Sequence, residues 1–170
     1  MRPDGSKASV CAVVAAMLSG GIAVLGQTPK AHYSAMAPLA QYMMDPNAEI
    51  ALARSAAPKS ISDGAQVLVL GRAGFNVAVK GTNGSACLVQ RSWNAAVDFP
   101  EFWNPKIRAP ICLNPAAVRS MLPVATFWTK MVLAGESKEQ MAAEAKTAFE
   151  SKKLPALEPG AMSFMMSKDG

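Results

Sequence analysis

The chain has 170 residues, of which 51% are hydrophobic and 17% are charged. This composition excludes a disordered or fibrous protein, and the length suits one globular domain that buries its own core. The net charge of +5 comes from basic residues spread along the sequence, whereas a nucleic-acid-binding surface needs them clustered. We therefore expect no nucleic-acid partner.

The first 26 residues have the pattern of a secretory signal peptide. Arg2 and Lys7 precede a mostly apolar run over residues 8–25, and the small residue Gly26 follows it. We expect cleavage after Gly26. The alternative is an uncleaved membrane anchor, although a run of 18 residues is at the short end for crossing a bilayer.

Residues 27–44 contain two prolines and little periodicity, which predicts a flexible leader. A helix is expected to follow, because Asp45 is a good N-cap and Pro46 suits the first helical position. Pro58 is expected to end this helix. The sequence thus predicts one domain over residues 45–170.

Strand patterns follow the first helix. The stretch "QVLVLGR" is continuously apolar, as in a strand buried on both faces, and "FNVAVK" alternates between apolar and other residues. Asn83–Gly84 then favours a two-residue hairpin to a third strand, with Val79 opposite Leu88. The three strands would form an antiparallel meander.

The stretch "NAAVDFPEFWNPKIRAPICLN", residues 94–114, has no regular period and predicts an irregular cover over the back of this hairpin. A loop of this length is usually functional or pinned. Cys112 would pin it to Cys87, because loss of residues 1–26 removes Cys11 and leaves the even number of cysteines that an oxidising compartment favours. By chain entropy, such a closed loop contributes about 3.5 kcal/mol.

The second half of the chain reads as mainly helical. Asn114–Pro115 begins a helical region, Pro123 interrupts it and Gly135 ends it. Ser137 and Gln140 form a capping box for a further helix. The sequence therefore predicts two to three helices that pack on the sheet.

The stretch "AMSFMMSK", residues 161–168, alternates and predicts a fourth, C-terminal strand. The expected fold is α+β, with a small, mainly antiparallel sheet made of the three-strand meander plus this strand. Asp169–Gly170 is a turn pair that should lead to another strand. We therefore expect the C-terminus to be shortened.

Four stretches resemble one family: "ALARSAAP", "VLVLGRAGFNVAVKGTNGSACLVQRSW", "PEFWNPKIRAPICLNPAA" and "LEPGAMSFMMSK". They resemble a family of uncharacterised exported bacterial proteins with no assigned activity, which implies a secreted domain. The resemblance also implies a longer, histidine-bearing C-terminus, an aromatic residue in place of Ser85 and a histidine in place of Ala73. A site built from those residues does not carry over to this chain.

Side chains for catalysis are sparse. The single histidine, His32, lies in the leader, which argues against Ser-His-Asp or Cys-His nucleophiles and against imidazole-based metal sites. Methionine pairs at residues 43–44 and 165–166 suggest a copper(I) site, because copper(I) prefers soft ligands such as thioethers. Core filling is the simpler interpretation, because methionine side chains fit irregular gaps. We expect no metal and no cofactor.

Aromatic and basic side chains near the predicted disulfide form the candidate binding site. Such a group can hold an anionic or planar ligand through stacking and charge-assisted hydrogen bonds. The simpler interpretation is that the tryptophans are buried and the cations lie at their rim. The candidate ligand-binding residues are Arg91, Trp93, Trp103, Lys106 and Arg108.

These patterns favour an exported protein, periplasmic or secreted, that acts as a non-catalytic binding or interaction module. Its partner would be an unknown small molecule or protein, with no membrane contact after signal removal. The alternative is an extracytoplasmic hydrolase that uses carboxylates such as Asp98 or Glu101 and is inactive in a shortened copy. Solvation of both charges is the simpler interpretation of those two residues.

Overall fold

The computed structural model describes residues 33–166, so the predicted signal peptide, His32 and the Asp169–Gly170 turn lie outside the described residues. The first helix, α1 (Pro46–Arg54), begins as predicted, because the Asp45 carboxylate accepts hydrogen bonds from the first-turn amides. It ends before Pro58. That proline instead precedes a single helical turn, α2 (Lys59–Ser62).

Five strands form one sheet in the order β2-β1-β3-β4-β5. All neighbouring pairs are antiparallel except β1 and β3, which are parallel. The α+β class with a mostly antiparallel sheet is therefore confirmed. The strands are β1 (Gln66–Gly71), β2 (Gly74–Val79), β3 (Ala86–Gln90), β4 (Ala109–Leu113) and β5 (Ser163–Phe164).

The predicted hairpin between β2 and β3 is wrong, because β1 lies between these two strands. Val79 pairs with Val67 instead of Leu88. The Asn83 side chain donates to the Ile61 carbonyl at 2.8 Å, so the Asn83–Gly84 turn belongs to a connection that packs on the segment before β1. The tight hairpin joins β1 to β2.

A glycine makes this connection possible. At Gly81 the chain passes so close to β1 that a Cβ atom would overlap the backbone nitrogen of Gln66. The amides of Thr82 and Asn83 both donate to the Gly64 carbonyl, which ties the connection down. Gly84 has a positive φ of 74° but Asn83 does not. The two-residue turn expected at Asn83–Gly84 is therefore wrong as well, and the contacts of this connection are distant in sequence.

The cover predicted over residues 94–114 is also only partly irregular. Residues 109–113 of this stretch form β4, which pairs with β3 along its whole length. The face of the sheet that carries Val67, Cys87 and Cys112 is covered by the alanine-rich end of α1 rather than by this segment. A proline-containing stretch concealed the strand, because Pro110 lowers its strand propensity.

Two helices cover the other face, and a third packs against the second of them. Helix α3 (Pro115–Ser120) and helix α4 (Leu122–Ala134) are separated at Met121, next to the proline predicted to interrupt them. Gly135 ends α4 with a φ of 81°. Helix α5 (Lys138–Glu150) begins with the predicted capping box.

The core has three parts, one on each face of the sheet and one at an end of the sheet. Leu68, Leu88 and Ile111 pack towards α3 and the start of α4. A third group of buried aromatic residues lies at one end of the sheet, between residues 91–103 and α4. Tyr42, which the sequence placed in the leader, is fully buried in this group. This aromatic end positions most of the predicted site residues.

Candidate functional site

Arg91 follows β3 directly and is 1% exposed. Its Nη2 donates to the Glu49 carboxylate at 2.9 Å, its Nε donates to the Tyr42 carbonyl at 2.8 Å, and its Nη1 donates to the Val89 carbonyl. Burial lowers the pKa of this guanidinium, and the neighbouring Glu49 carboxylate opposes that shift. The three donating nitrogens are thus engaged within the protein.

Glu49 reaches Arg91 from α1 and is also 1% exposed. The same carboxylate oxygen accepts the amide of Leu70 in β1 at 3.1 Å. A buried charge is tolerated when it is paired and hydrogen-bonded, and this pair satisfies both conditions. The ion pair therefore links α1, β1 and the end of β3. We call Glu49, Arg91 and Tyr42 the buried ionic group.

Both predicted tryptophans pack around Tyr42. Trp93 is fully buried and donates its indole N–H to Thr129 in α4 at 3.1 Å. The Tyr42 ring lies 4.7 Å from the Trp93 ring, and its hydroxyl donates to the Trp103 carbonyl at 2.7 Å. Burial raises the pKa of Tyr42. These contacts are those of a structural core, because aromatic side chains with a polar group usually find a partner when buried.

Arg108 and Lys106 lie nearer the surface. Arg108 donates to the carbonyls of Ile107 and Gln41, and also to that of Pro105. Burial lowers its pKa, as does the charge of Arg91. The Lys106 side chain is exposed. The structure thus brings the five predicted residues to one end of the sheet, where Arg91 and Trp93 are buried.

The carboxylates of the alternative hydrolase lie in the turns between residues 94 and 108. Asp98 is exposed. Glu101 accepts a hydrogen bond from the side-chain amide of Asn104 at 2.8 Å, within its own turn. The hydrolase stays a prediction.

The cysteine pairing predicted from the sequence agrees with the geometry. The sulfurs of Cys87 and Cys112 lie 1.94 Å apart, at disulfide distance, and join directly opposed positions of β3 and β4. Both residues are fully buried beneath α1. The bridge therefore joins two neighbouring strands instead of fastening a flap.

Trp103, which is 7% exposed, lines a cleft of about 340 Å³. We call it the Trp103 cleft. Its other side is the link between α4 and α5, where the buried Oε2 of Glu136 has no hydrogen-bond partner among residues 33–166. Burial raises the pKa of Glu136, with a smaller contribution from the charge of Glu144. The ammonium of Lys138 lies 4.8 Å from the Phe102 ring beside this cleft.

A second cleft, of about 260 Å³, lies where α3, α4 and the end of α5 meet the segment that follows α5. We call it the Trp128 cleft. Two of its apolar residues are well exposed, Phe149 at 44% and Leu157 at 68%. Its lining residues are Gln90, Asn94, Ser120, Met121, Val124, Ala125, Trp128, Phe149, Pro155 and Leu157.

Sequence reasoning missed the Trp128 cleft. At helical spacing Trp128 lies on the same side of α4 as Ala125 and Val132, a pattern typical of a buried side chain. The chain after α5 does not cover it fully, so the tryptophan stays half-buried at the cleft wall. The available signal was the isolated Leu157 in "LPALEPG", an apolar residue in a proline-rich, non-periodic segment.

Neither a metal site nor a membrane span was found in the described part of the chain. Within residues 33–166, no three His, Cys, Asp or Glu side chains gather closely enough to hold a metal ion. No helix in the same range combines the length and the apolarity that crossing a bilayer requires. No family model, curated protein or solved structure matches this chain.

Proposed function

We propose that this chain is an exported bacterial protein, of the uncharacterised family that its motifs resemble, and that it acts as a non-catalytic binding module. Two independent features support export. The apolar run over residues 8–25 follows two basic residues, as in signal peptides. Cys87 and Cys112 lie at disulfide distance, and disulfides persist mainly in oxidising compartments.

The observation that carries the binding role is the exposed apolar surface around the Trp128 cleft. A folded domain normally buries large apolar side chains, and contiguous exposed ones mark interaction sites. Here Phe149 and Leu157 stand at the rim of a concave surface whose wall is Trp128. A concave, mostly apolar surface with a few polar groups is the usual form of a ligand site.

The polar residues of the cleft define the chemistry of the ligand. Asn94 is occupied, since its amide donates to the Ala125 carbonyl and its oxygen accepts the Arg91 amide. The side-chain amide of Gln90 makes no hydrogen bond within residues 33–166, so it is free to pair with a ligand. None of the lining residues is charged. The ligand is therefore an uncharged, mainly apolar molecule or side chain that carries one hydrogen-bonding group.

An uncharged fluorescent probe, N-phenyl-1-naphthylamine, tests this site because its emission rises in apolar surroundings. We expect the protein to bind it and the variants Leu157→Gln and Phe149→Gln to bind about tenfold more weakly. The reason is that each variant removes roughly 1.4 kcal/mol of apolar contact. Both side chains are exposed, so the fold tolerates the changes.

Met162→Gln is the matched control, because Met162 is 56% exposed and does not line the cleft. Its affinity for the probe should equal that of the parent chain. Any probe bound to the apolar N-terminal residues contributes equally to all variants. Equal binding by all four proteins would contradict the proposed site.

A further inference from the structure

A third cleft lies on the other side of α4 and differs from the Trp128 cleft in charge. We call it the Phe127 cleft; its volume is about 350 Å³. This volume is within the roughly 300–1,000 Å³ range of small-molecule sites. Its apolar surface is formed mainly by Val118, Leu122, Phe127 and Leu154, and Lys130 and Lys153 line it as well.

The backbone at the end of α5 fixes one of the lysines. Lys152 has a φ of 59°, a left-handed conformation that non-glycine residues adopt uncommonly. The chain then turns back, and the amide of Leu154 donates to the Ala148 carbonyl at 3.0 Å. This turn holds Lys153 over Phe127, with its ammonium 5.7 Å from the ring centre.

Both ammonium groups are available to an anion. Lys130 and Lys153 form no ion pair with a carboxylate of residues 33–166, whereas Arg91, Arg119 and Lys146 each do. Glu144 is the acidic residue nearby, and it lines a neighbouring cleft that Phe127 and Lys153 also line. The Phe127 cleft itself contains no acidic residue among its lining side chains.

We propose that the Phe127 cleft binds an anionic amphiphile, a molecule with an apolar chain and one negatively charged head group such as a carboxylate or a phosphate. The chain lies against Leu122, Phe127 and Leu154. The head group lies between the two lysine ammonium groups. This site is separate from the uncharged Trp128 cleft and does not depend on the function proposed for it.

The test compares decanoate, decyl phosphate and the uncharged 1-decanol by calorimetric titration of the full chain. We expect both anions to bind about two- to thirtyfold more tightly than decanol, the range that two exposed charge contacts provide. Their affinity should fall as ionic strength rises from about 0.01 M to 0.1 M, because salt screens exposed charges. Decanol affinity should not fall.

The double variant Lys130→Gln/Lys153→Gln should lose the preference for the anions, and it should fold because both lysines are exposed. Lys59→Gln is the matched control, an exposed lysine on α2 outside the cleft, and should bind like the parent chain. Equal affinity for decanoate in the double variant and the control would overturn the proposal. Loss of decanoate binding in Leu157→Gln alone would do the same, since the Trp128 cleft would then be the binding site.

Discussion

The buried ionic group and the Trp128 cleft reverse the usual distribution of polar and apolar side chains. Glu49 and Arg91 are both 1% exposed, while Phe149 and Leu157 stand 44% and 68% exposed beside a half-buried tryptophan. Burying charge costs free energy unless partners compensate, and leaving large apolar groups in water costs free energy as well. Both arrangements therefore need an explanation.

The difference between the two regions lies in how fully their contacts are satisfied. Each donating nitrogen of Arg91 has an acceptor inside the protein, so this group organises the fold. Phe149 and Leu157 at the Trp128 cleft remain partly exposed to solvent. We therefore assign structure to the charged region and binding to the apolar one. The predictions below test this division, beginning with the largest effect.

Breaking the ion pair should have the largest effect on stability. Glu49→Ala leaves the Arg91 charge buried without its carboxylate, and removal of one partner of a buried pair costs about 3–5 kcal/mol. The double variant Glu49→Leu/Arg91→Met should lose less than Glu49→Ala, because it leaves no unpaired charge. Urea unfolding followed by circular dichroism measures both. A loss below about 1 kcal/mol in Glu49→Ala would show that Arg91 is not structural.

Removing the disulfide should come next. The bridge closes a loop between cysteines 25 positions apart, for which chain entropy gives about 3.5 kcal/mol. The double variant Cys87→Ala/Cys112→Ala should lose this amount of unfolding free energy, as measured with urea. Dithiothreitol should not change the stability of the double variant. Equal free energies of unfolding for the double variant and for a parent chain in which Cys87 and Cys112 are shown to be bonded would contradict the entropic account.

A surface cap should contribute less than either buried feature. Asp45→Ala removes the acceptor of two first-turn amides of α1 and should cost about 1 kcal/mol. Asp63→Ala is the matched control, because that exposed aspartate makes no such cap. Equal unfolding midpoints for the two variants would contradict the role of the cap.

The smallest effects concern two carboxylates on either side of Ser137, which should respond to pH in opposite ways. Burial raises the pKa of Glu136, so its charge destabilises the fold above the ordinary pKa of 4.5. Hydrogen bonds from the Glu139 backbone amide and from the Ser137 side chain lower the pKa of the Glu139 carboxyl. The ionised Glu139 side chain therefore stabilises the fold at neutral pH. That stabilisation is lost as pH falls below 4.5.

Melting temperatures across this pH range test the pair. At neutral pH Glu136→Gln should melt slightly above the parent chain and Glu139→Gln slightly below it. Both differences should disappear in acid, where all the carboxyls are protonated. Shifts of the same sign in the two variants would refute the assignment.

Local signals in the sequence predicted the helices well. Asp45, Asn114 and Gly135 each act through residues at most a few positions away, and each lies where the pattern indicated. The strand order could not be predicted in this way. Asn83–Gly84 is a strong turn signal, but its neighbours are set by contacts with residues 61–66, which no local pattern reveals.

The surroundings of the candidate site residues could not be predicted for a related reason. A sequence shows that Arg91 is basic but not that Glu49, 42 positions earlier, lies against it. It likewise shows that Trp128 fits an apolar stripe but not how far the chain after α5 covers that stripe. The cysteine pair was predictable, because the expected loss of residues 1–26 leaves two cysteines, which can pair in one way.

The most direct test of the division between structure and binding uses the indole N–H signals of Trp93, Trp103 and Trp128 in two-dimensional NMR, each assigned by its Trp→Phe variant. The Trp93 indole is bonded to Thr129 in the core, whereas Trp128 lines the exposed cleft. Titration with N-phenyl-1-naphthylamine should shift the Trp128 signal and leave that of Trp93 unchanged. Movement of the Trp93 or Trp103 signal with a stationary Trp128 signal would return the binding site to the aromatic end of the sheet and contradict our account.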